Sequence, residues 1–428
     1  MTGLLVLGVF MALAFLSVPI LTSIIIASAA GVVALGFTDR LGIVSQQMLD
    51  GINSPALLSV PFFILAGNLL NGCKLTDRIF RFANNVVGHI RGGLAQVNIL
   101  ASLLFGGISG AAVADCAALG TVEVKAMRER GYPADFSAAV TAASSIVGPI
   151  FPPSIPLLIY AFVANASVGR LFLAGIMPAL LLVAVLMVYV YIVSVRRNFP
   201  REDRATFGEI ARSAVDGLLT LLAPGIILGA MMTGFTTASE AGVLACIYAL
   251  GLGIYYRTLN RDVLLTAFRE TAYLSTIALL MIGFSATVGW IMAFDLVPQQ
   301  LADFILGNID SKWVFILVYL LFLIILGCVF DATAALIILV PIMLPIVDGF
   351  GIDRVHFGIF TVLTLMVGIL TPPVGIALYI MMDVAKLPFE AVARATIPFL
   401  MPIVIAIVLI AFVPQISLFL PNLVYGRP

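Results

Sequence analysis

The chain has 428 residues, is 62% hydrophobic, only 10% charged, and carries no net charge. A soluble domain carries about 25% charged residues, so the composition excludes a soluble globular protein, and the absence of a basic surplus argues against a nucleic-acid partner. The mean hydropathy of +1.17 places the chain in a lipid bilayer. Four cysteines without CxxC spacing and two histidines, neither in an HExxH motif, argue against a disulfide framework and a zinc site.

Residues 1–36 form an apolar run too long, and without the basic start, for a signal peptide. A single helix of that length would reach about 50 Å, against a hydrocarbon core of about 30 Å. The pattern therefore predicts a pair, 4–17 and 19–36, interrupted near Pro19, followed by an inward crossing at 55–72. The small-residue run FGGISGAAVADCAALGTVEV (105–124) predicts a re-entrant helical hairpin over about 95–130, with Asp115 in it. Residues 133–163 predict a helix broken at Pro152-Pro153, because two ladder donors are missing and each ring clashes with the preceding turn. A span at 171–195 leads to the connector RRNFPREDRATFGEIARSAVD (196–216), read as a surface-lying amphipathic helix. Spans at 217–233, 236–254 and 272–292 follow. A second hairpin over about 313–347 contains GCVFDATAALIILVP and Asp331. The next helix, 355–385, is broken at Pro372-Pro373, and 391–421 ends the chain. The total is ten crossings and two hairpins.

The second half repeats the first. At an offset of 216, Gly67 meets Gly283 and Asp115 meets Asp331; after a four-residue insertion, at 220, Gly131 meets Gly351, Gly148 meets Gly368, and the two Pro-Pro pairs coincide. These are the only Pro-Pro pairs in the chain. The copies span 1–195 and 217–428. Lys74, Arg78, Arg81, Arg91, Lys125, Arg128 and Arg130 flank the first hairpin, whereas Lys312 and Arg354 are the cations among several aspartates around the second. Cytoplasmic loops carry the excess of Lys and Arg, so the hairpins enter from opposite sides and the repeat is inverted. The fold class expected is an all-α polytopic membrane protein of two inverted-topology repeats.

An ionisable group in a membrane segment is costly and marks a pathway or a paired site, and irregular backbone survives there only where it is buried in protein or lines a cavity. The first hairpin and break offer Ser109, Ser144, Ser145, the carbonyls from Gly148 to Phe151, and Ser154. The second offer Gly327, Cys328, Thr333, Thr364, Gly368 and Thr371. Each copy is expected to hold one cation between hairpin and broken helix, with an anionic substrate between the copies. Asp115 and Asp331 either ligate or cap the second arm of their hairpins, two compatible roles. Glu240 reads as a third buried carboxylate serving structure, His89 and His356 as interfacial, and Cys328 as packing as well as a member of the second set.

At these residues the sequence resembles the large membrane subunit, DctM-like, of the tripartite ATP-independent periplasmic (TRAP) transporters. The matching stretches are HIRGGLAQVNILAS (89–102), GISGAAVADCAALGTV (108–122), AASSIVGPIFPPSIPLLIY (142–160), GIDRVHFGI (351–359) and GILTPPVG (368–375). The resemblance covers essentially the whole chain. It implies an elevator-type secondary transporter of the bacterial inner membrane that imports an organic acid, such as sialic acid or a C4-dicarboxylate. It further implies Na⁺ as coupling ion, no organic cofactor, a separate small four-helix membrane subunit, and a periplasmic substrate-binding protein. Carried over, the first Na⁺ site falls on Ser109, Gly148, Phe151 and Pro153 with Asp115 beside them. The second falls on Gly327, Cys328, Asp331, Thr333 and Thr371. Ser144, Ser145, Ser154, Thr364, Gly368 and Pro372 are assigned to substrate. The chain departs from the family pattern at Arg354 (usually Pro), Thr364 (usually Asn) and TASE at 237–240 (usually TPTE). The competing readings are a stand-alone Na⁺/dicarboxylate symporter, a channel, and an intramembrane aspartyl enzyme, the last without a GxGD motif.

Overall fold

The computed structural model describes residues 2–16, 18–37, 42–54, 57–73, 76–328 and 330–426; Lys74, counted above in the first basic flank, lies outside them. The described residues form twenty α-helices and no strand. The first 36 residues hold two helices, α1 (Thr2–Phe15) and α2 (Ile20–Ala34), with Pro19 immediately before the second, where its missing N–H is not needed. Next come α3 (Gly42–Ile52), α4 (Ser59–Gly72) and the amphipathic α5 (Thr76–Val87). The first hairpin is α6 (Gly93–Ser109) and α7 (Ala112–Glu129); Gly110 between them adopts φ +61°, the left-handed cap that reverses the chain. Helices α8 (Ala134–Ser145) and α9 (Ile155–Val163) are separated by the segment containing Pro152-Pro153. Ser154 restarts the helix by accepting a hydrogen bond from the Leu157 N–H at 3.1 Å. Helix α10 (Val168–Arg196) completes the first half.

The connector differs from the expected surface helix. Residues 198–206 are irregular, and helix α11 starts only at Phe207 and runs unbroken to Met232, absorbing the span expected at 217–233. The reason is a capping box: Thr206 accepts from the Glu209 N–H, and Glu209 accepts from Thr206 N and Oγ1, both at 2.8 Å. Those donors draw the exposed Glu209 carboxyl below its usual range. The irregular stretch is pinned instead through Glu202, which accepts from Asn84 at 2.9 Å and pairs with Arg130 at 2.6 Å.

The second half holds α12 (Ala238–Tyr255), α13 (Arg261–Phe294), α14 (Val297–Asn308), the hairpin α15 (Lys312–Gly327) and α16 (Ala332–Gly349), the pair α17 (Arg354–Gly368) and α18 (Ile376–Ala385), then α19 (Phe389–Phe412) and α20 (Pro414–Tyr425). The span expected at 272–292 is a 34-residue helix, and that expected at 391–421 divides at Val413-Pro414. Both Pro-Pro bonds are cis. Five helices, α10, α12, α13, α16 and α19, have the length and apolarity of membrane spans, and several shorter apolar helices accompany them. Large exposed apolar side chains such as Leu317, Leu321 and Ile325 on α15 suit contact with lipid.

Two groups of helices emerge. Helices α6–α9 and α15–α18 mesh with one another and with α10 and α19, while α1–α4 and α11–α13 pack mainly among themselves around α13. Helices α5 and α14 lie between the groups, α5 on α6 and α11, and α14 chiefly on α16. Within the first group the half-helix after each break crosses into the other half of the chain: α9 packs on α16 and α17, and α18 on α7 and α8. Fully buried Tyr160 of α9 occupies the space that Gly358 of α17 leaves beside its ring, and its hydroxyl donates to the Arg354 carbonyl at 2.5 Å. Arg354 answers with Nη1 to the Ala164 carbonyl at 3.3 Å, and holds Asp348 through two bonds of 3.0 and 2.6 Å. The departure at Arg354 therefore fastens the two halves together.

Candidate functional site

Both hairpins meet their broken helices through glycines. A Cβ placed on Gly106 of α6 would lie 2.6 Å from Gly148 Cα, and one on Gly327 of α15 would lie 3.3 Å from Gly368 Cα. Backbone thus meets backbone at each contact. At the first tip a Cβ on Gly110 would lie 2.6 Å from the Pro153 carbonyl oxygen, and one on Gly107 3.1 Å from the Phe151 ring.

Asp115 lies in the first turn of α7 and is 1% exposed. It does not cap the helix: the N-cap is Ala111, without a side-chain bond. Oδ1 accepts from the Ser109 hydroxyl. Oδ2 is buried without a hydrogen-bond partner and faces Gly148, on which a Cβ would come within 2.5 Å of it. The carbonyls of Gly148, Phe151 and Pro153 accept no backbone hydrogen bond among the described residues, so Ser109, Asp115, Gly148, Phe151 and Pro153 form one cluster with unused oxygens. A buried, unpaired carboxylate is expensive; a cation bound beside it would satisfy it.

The second set is built differently. Four residues separate α15 from α16, against two at the first tip. Asp331 is half-buried and is the N-cap of α16, with Oδ1 accepting from Thr333 N at 2.9 Å and Ala334 N at 3.3 Å. Thr371 Oγ1 donates to the Val367 carbonyl at 2.8 Å, and the Cys328 thiol donates to Ile324 O at 3.0 Å while within hydrogen-bonding reach of Thr371. Gly327, Cys328 and Thr371 are therefore brought together with Gly368; Asp331 and Thr333 stand at the start of the second arm.

The helix boundaries correct the pairing of the two aspartates. Ala112 and Ala332 begin α7 and α16, and Glu129 and Gly349 end them, both displaced by 220. In that frame Asp331 matches Ala111, and Asp115 matches Ala335. The sequence offset of 216 paired two like residues about a helical turn apart, because the extra residues enter earlier. Helices α5 and α14 start at 76 and 297, and α6 and α15 at 93 and 312, displacements of 221 and 219 already ahead of the tips.

The residues assigned to substrate are largely engaged. Ser144 donates to Asn98 Oδ1 and accepts from Ser102, both at 2.8 Å, and Asn98 donates to Thr141 at 2.6 Å, a buried network joining α6 to α8. Ser145 and Thr364 donate to carbonyls in their own helices at 2.8 and 2.6 Å, and Ser154 donates to the Pro149 carbonyl. Gly368 is pressed against Gly327, and Pro372 is half-exposed. Two other readings are overturned. Glu240 is exposed, not buried, and closes a capping box with Thr237. His356 is 2% exposed, not interfacial, with Nε2 3.1 Å from the Ala411 carbonyl and Nδ1 3.4 Å from Ser417 Oγ. Sequence reasoning also missed Glu123, two turns beyond Asp115 on α7, fully buried with both carboxylate oxygens unpartnered. Its signal was a lone acid inside the apolar TVEV, which charge counting along the flank passed over.

Residues 7–416 match the family described as "Tripartite ATP-independent periplasmic transporter, DctM component". The chain is 42% identical over 418 residues to the sialic acid TRAP transporter large permease protein SiaM of Vibrio cholerae, covering 97% of this chain and 98% of that one. It is 34% identical to the C4-dicarboxylate TRAP transporter large permease protein DctM of Pseudomonas aeruginosa, covering 92% and 93%. Among solved structures, the Alcanivorax borkumensis YdaH transporter superposes with a TM-score of 0.64 at 14% identity over 90% of each chain, a likeness of fold alone.

Proposed function

The chain belongs to the DctM family of tripartite ATP-independent periplasmic transporters, and from that premise we propose that it imports an organic acid anion together with Na⁺ by an elevator movement. It is a transport protein of the bacterial inner membrane, not an enzyme. Relatives named for sialic acid and for C4-dicarboxylates point to a carboxylate substrate. The family supports a small membrane subunit and a periplasmic binding protein as partners.

The observation that carries the Na⁺ assignment is the free Oδ2 of Asp115 among the unengaged carbonyls of Gly148, Phe151 and Pro153. Hard oxygens from an unwound helix are the usual provision for Na⁺ in broken-helix transporters. The second ion is assigned to Gly327, Cys328, Thr333 and Thr371, with Asp331 beside them holding the start of α16, and the substrate to the space between the breaks. Ser144, Ser145, Ser154 and Thr364 act there chiefly by holding the breaks in shape, beside Gly368 and Pro372. The inverted repeat is supported by the 220-residue displacement of α7 and α16, the glycine contacts of both hairpins, and the charge asymmetry of their flanks. The elevator is supported by the meshed group α6–α9 with α15–α18, which would slide as one body against α1–α4 and α11–α13. Ions neutralising the buried acid lower the electrostatic barrier to that passage.

The test is uptake of radiolabelled sialic acid and succinate into proteoliposomes holding the chain, its small subunit and its binding protein. Uptake of one of them should require an inward Na⁺ gradient and stop when choline replaces Na⁺. Equal uptake in choline would remove the Na⁺ reading; equal uptake without the binding protein would favour the stand-alone symporter.

A further inference from the structure

At one end of the bundle, the last turn of α10, the start of α8 and the first half of α19 enclose a cleft of about 520 Å³ lined by Arg196, Arg197, Arg394, Asp135, Tyr189 and Phe399. Its three guanidinium groups are exposed and make no ion pair among the described residues. Uncompensated positive charge is held together here by the fold, because the aromatic floor fixes where the helices lie. Tyr189 and Phe399 meet at 4.9 Å in a T-shape, Phe136 lies 6.0 Å from Phe399, and the Arg197 guanidinium stands 6.0 Å above the Phe136 ring. Against three cations stands one acid, Asp135, whose Oδ1 accepts from the Phe136 N–H at 2.8 Å.

Three guanidinium forks around one cleft match a phosphate diester, which accepts several parallel N–H bonds. The surface beyond the cleft identifies the rest of the ligand. Ile397 and Met401 follow Arg394 at helical spacing on α19, and Val188, Ile192 and Val195 run along α10 beside the cleft; all five are large, apolar and exposed. A soluble phosphate would leave that surface unused, whereas acyl chains would cover it. We propose that this cleft binds the headgroup of an anionic phospholipid, with the phosphodiester on Arg196, Arg197 and Arg394, a headgroup hydroxyl on Asp135, and the acyl chains along α10 and α19. The excess of arginine at this end places the lipid in the cytoplasmic leaflet.

The experiment is native mass spectrometry of the full-length chain in detergent, titrated with phosphatidylglycerol, with phosphatidylcholine, and with phosphatidylglycerol plus inorganic phosphate. Phosphatidylglycerol should bind at roughly tenfold lower concentration than phosphatidylcholine, the gap expected for charge-assisted contacts of about 1.4 kcal/mol. The double variant Arg197→Gln/Arg394→Gln should lose that preference, while Arg257→Gln, exposed and outside the cleft, should keep it. Equal binding of the two lipids, or an unchanged preference in the double variant, overturns the proposal. Displacement of phosphatidylglycerol by millimolar inorganic phosphate would assign the cleft to a soluble anion and overturn it as well. If the double variant fails to fold, the lipid comparison and the phosphate competition on the unaltered chain still decide.

Discussion

The two hairpins share a plan but not a chemistry. In the first, a tight two-residue tip leaves Asp115 inside its helix, buried, with one oxygen on Ser109 and the other aimed at Gly148. In the second, a four-residue tip moves the aspartate out to the N-cap, where backbone N–H groups of Thr333 and Ala334 occupy it. One acid is free to meet a cation and the other is committed to holding a helix. Two like acids near the tips of two like helix pairs therefore do not imply two like sites.

The largest expected effect follows directly. Asp115→Asn keeps the shape and removes the charge, so the Na⁺ concentration for half-maximal uptake should rise by tenfold or more, the loss of at least about 1.4 kcal/mol from a charge-assisted contact. Asp331→Asn should shift it by less than about twofold, since Asn caps a helix as well as Asp. If both variants respond alike, the comparison fails. Next in size, Gly148→Ala pushes a methyl toward Asp115 Oδ2 and should weaken Na⁺ about fivefold to tenfold. Gly368→Ala pushes one into the backbone at Gly327 and should destabilise the whole protein by about 1–3 kcal/mol, as overpacking does. A melting curve beside the uptake assay separates the two, and a Na⁺ effect without a stability effect at Gly368 would contradict the assignment. Asp331→Ala should lower stability by about 1 kcal/mol through the lost cap, read as a lower melting temperature that Asp331→Asn restores. The smallest effect belongs to Thr371→Ala: its hydroxyl proton is already given to Val367, so removing a neutral ligand should raise the Na⁺ requirement by about threefold, roughly 0.7 kcal/mol. No change would take Thr371 out of the second site.

Much of this was legible in the chain. Glycine and proline mark where a helix cannot continue, so the sequence places helix ends near Gly110 and near both Pro-Pro pairs, where α6, α8 and α17 stop and α7, α9 and α18 begin. What a helix does with a polar residue depends on where its first turn lies, and hydropathy does not report that. Asp115 and Asp331 looked alike because identity at one position outweighed the helix start four residues away. Glu240 and Glu209 were readable, since Thr237-x-x-Glu240 and Thr206-x-x-Glu209 both spell a capping box; the surrounding hydropathy hid the first and the polar connector the second. His356 and Glu123 were not readable in this way, because only tertiary packing turns one toward α19 and α20 and encloses the other.

The crossing of Tyr160 into the space beside Gly358, and of Arg354 back to Ala164, also bears on how the protein is made. The first half leaves the ribosome long before α16 and α17 exist. During that interval α9 has none of its partners from the second half, and α7 and α8 lack α18. The first half therefore reaches the bilayer with buried faces still open, and these close only when translation delivers the second. Synthesis order and fold are thus out of step, and the early half must be sheltered from wrong partners until the late half arrives.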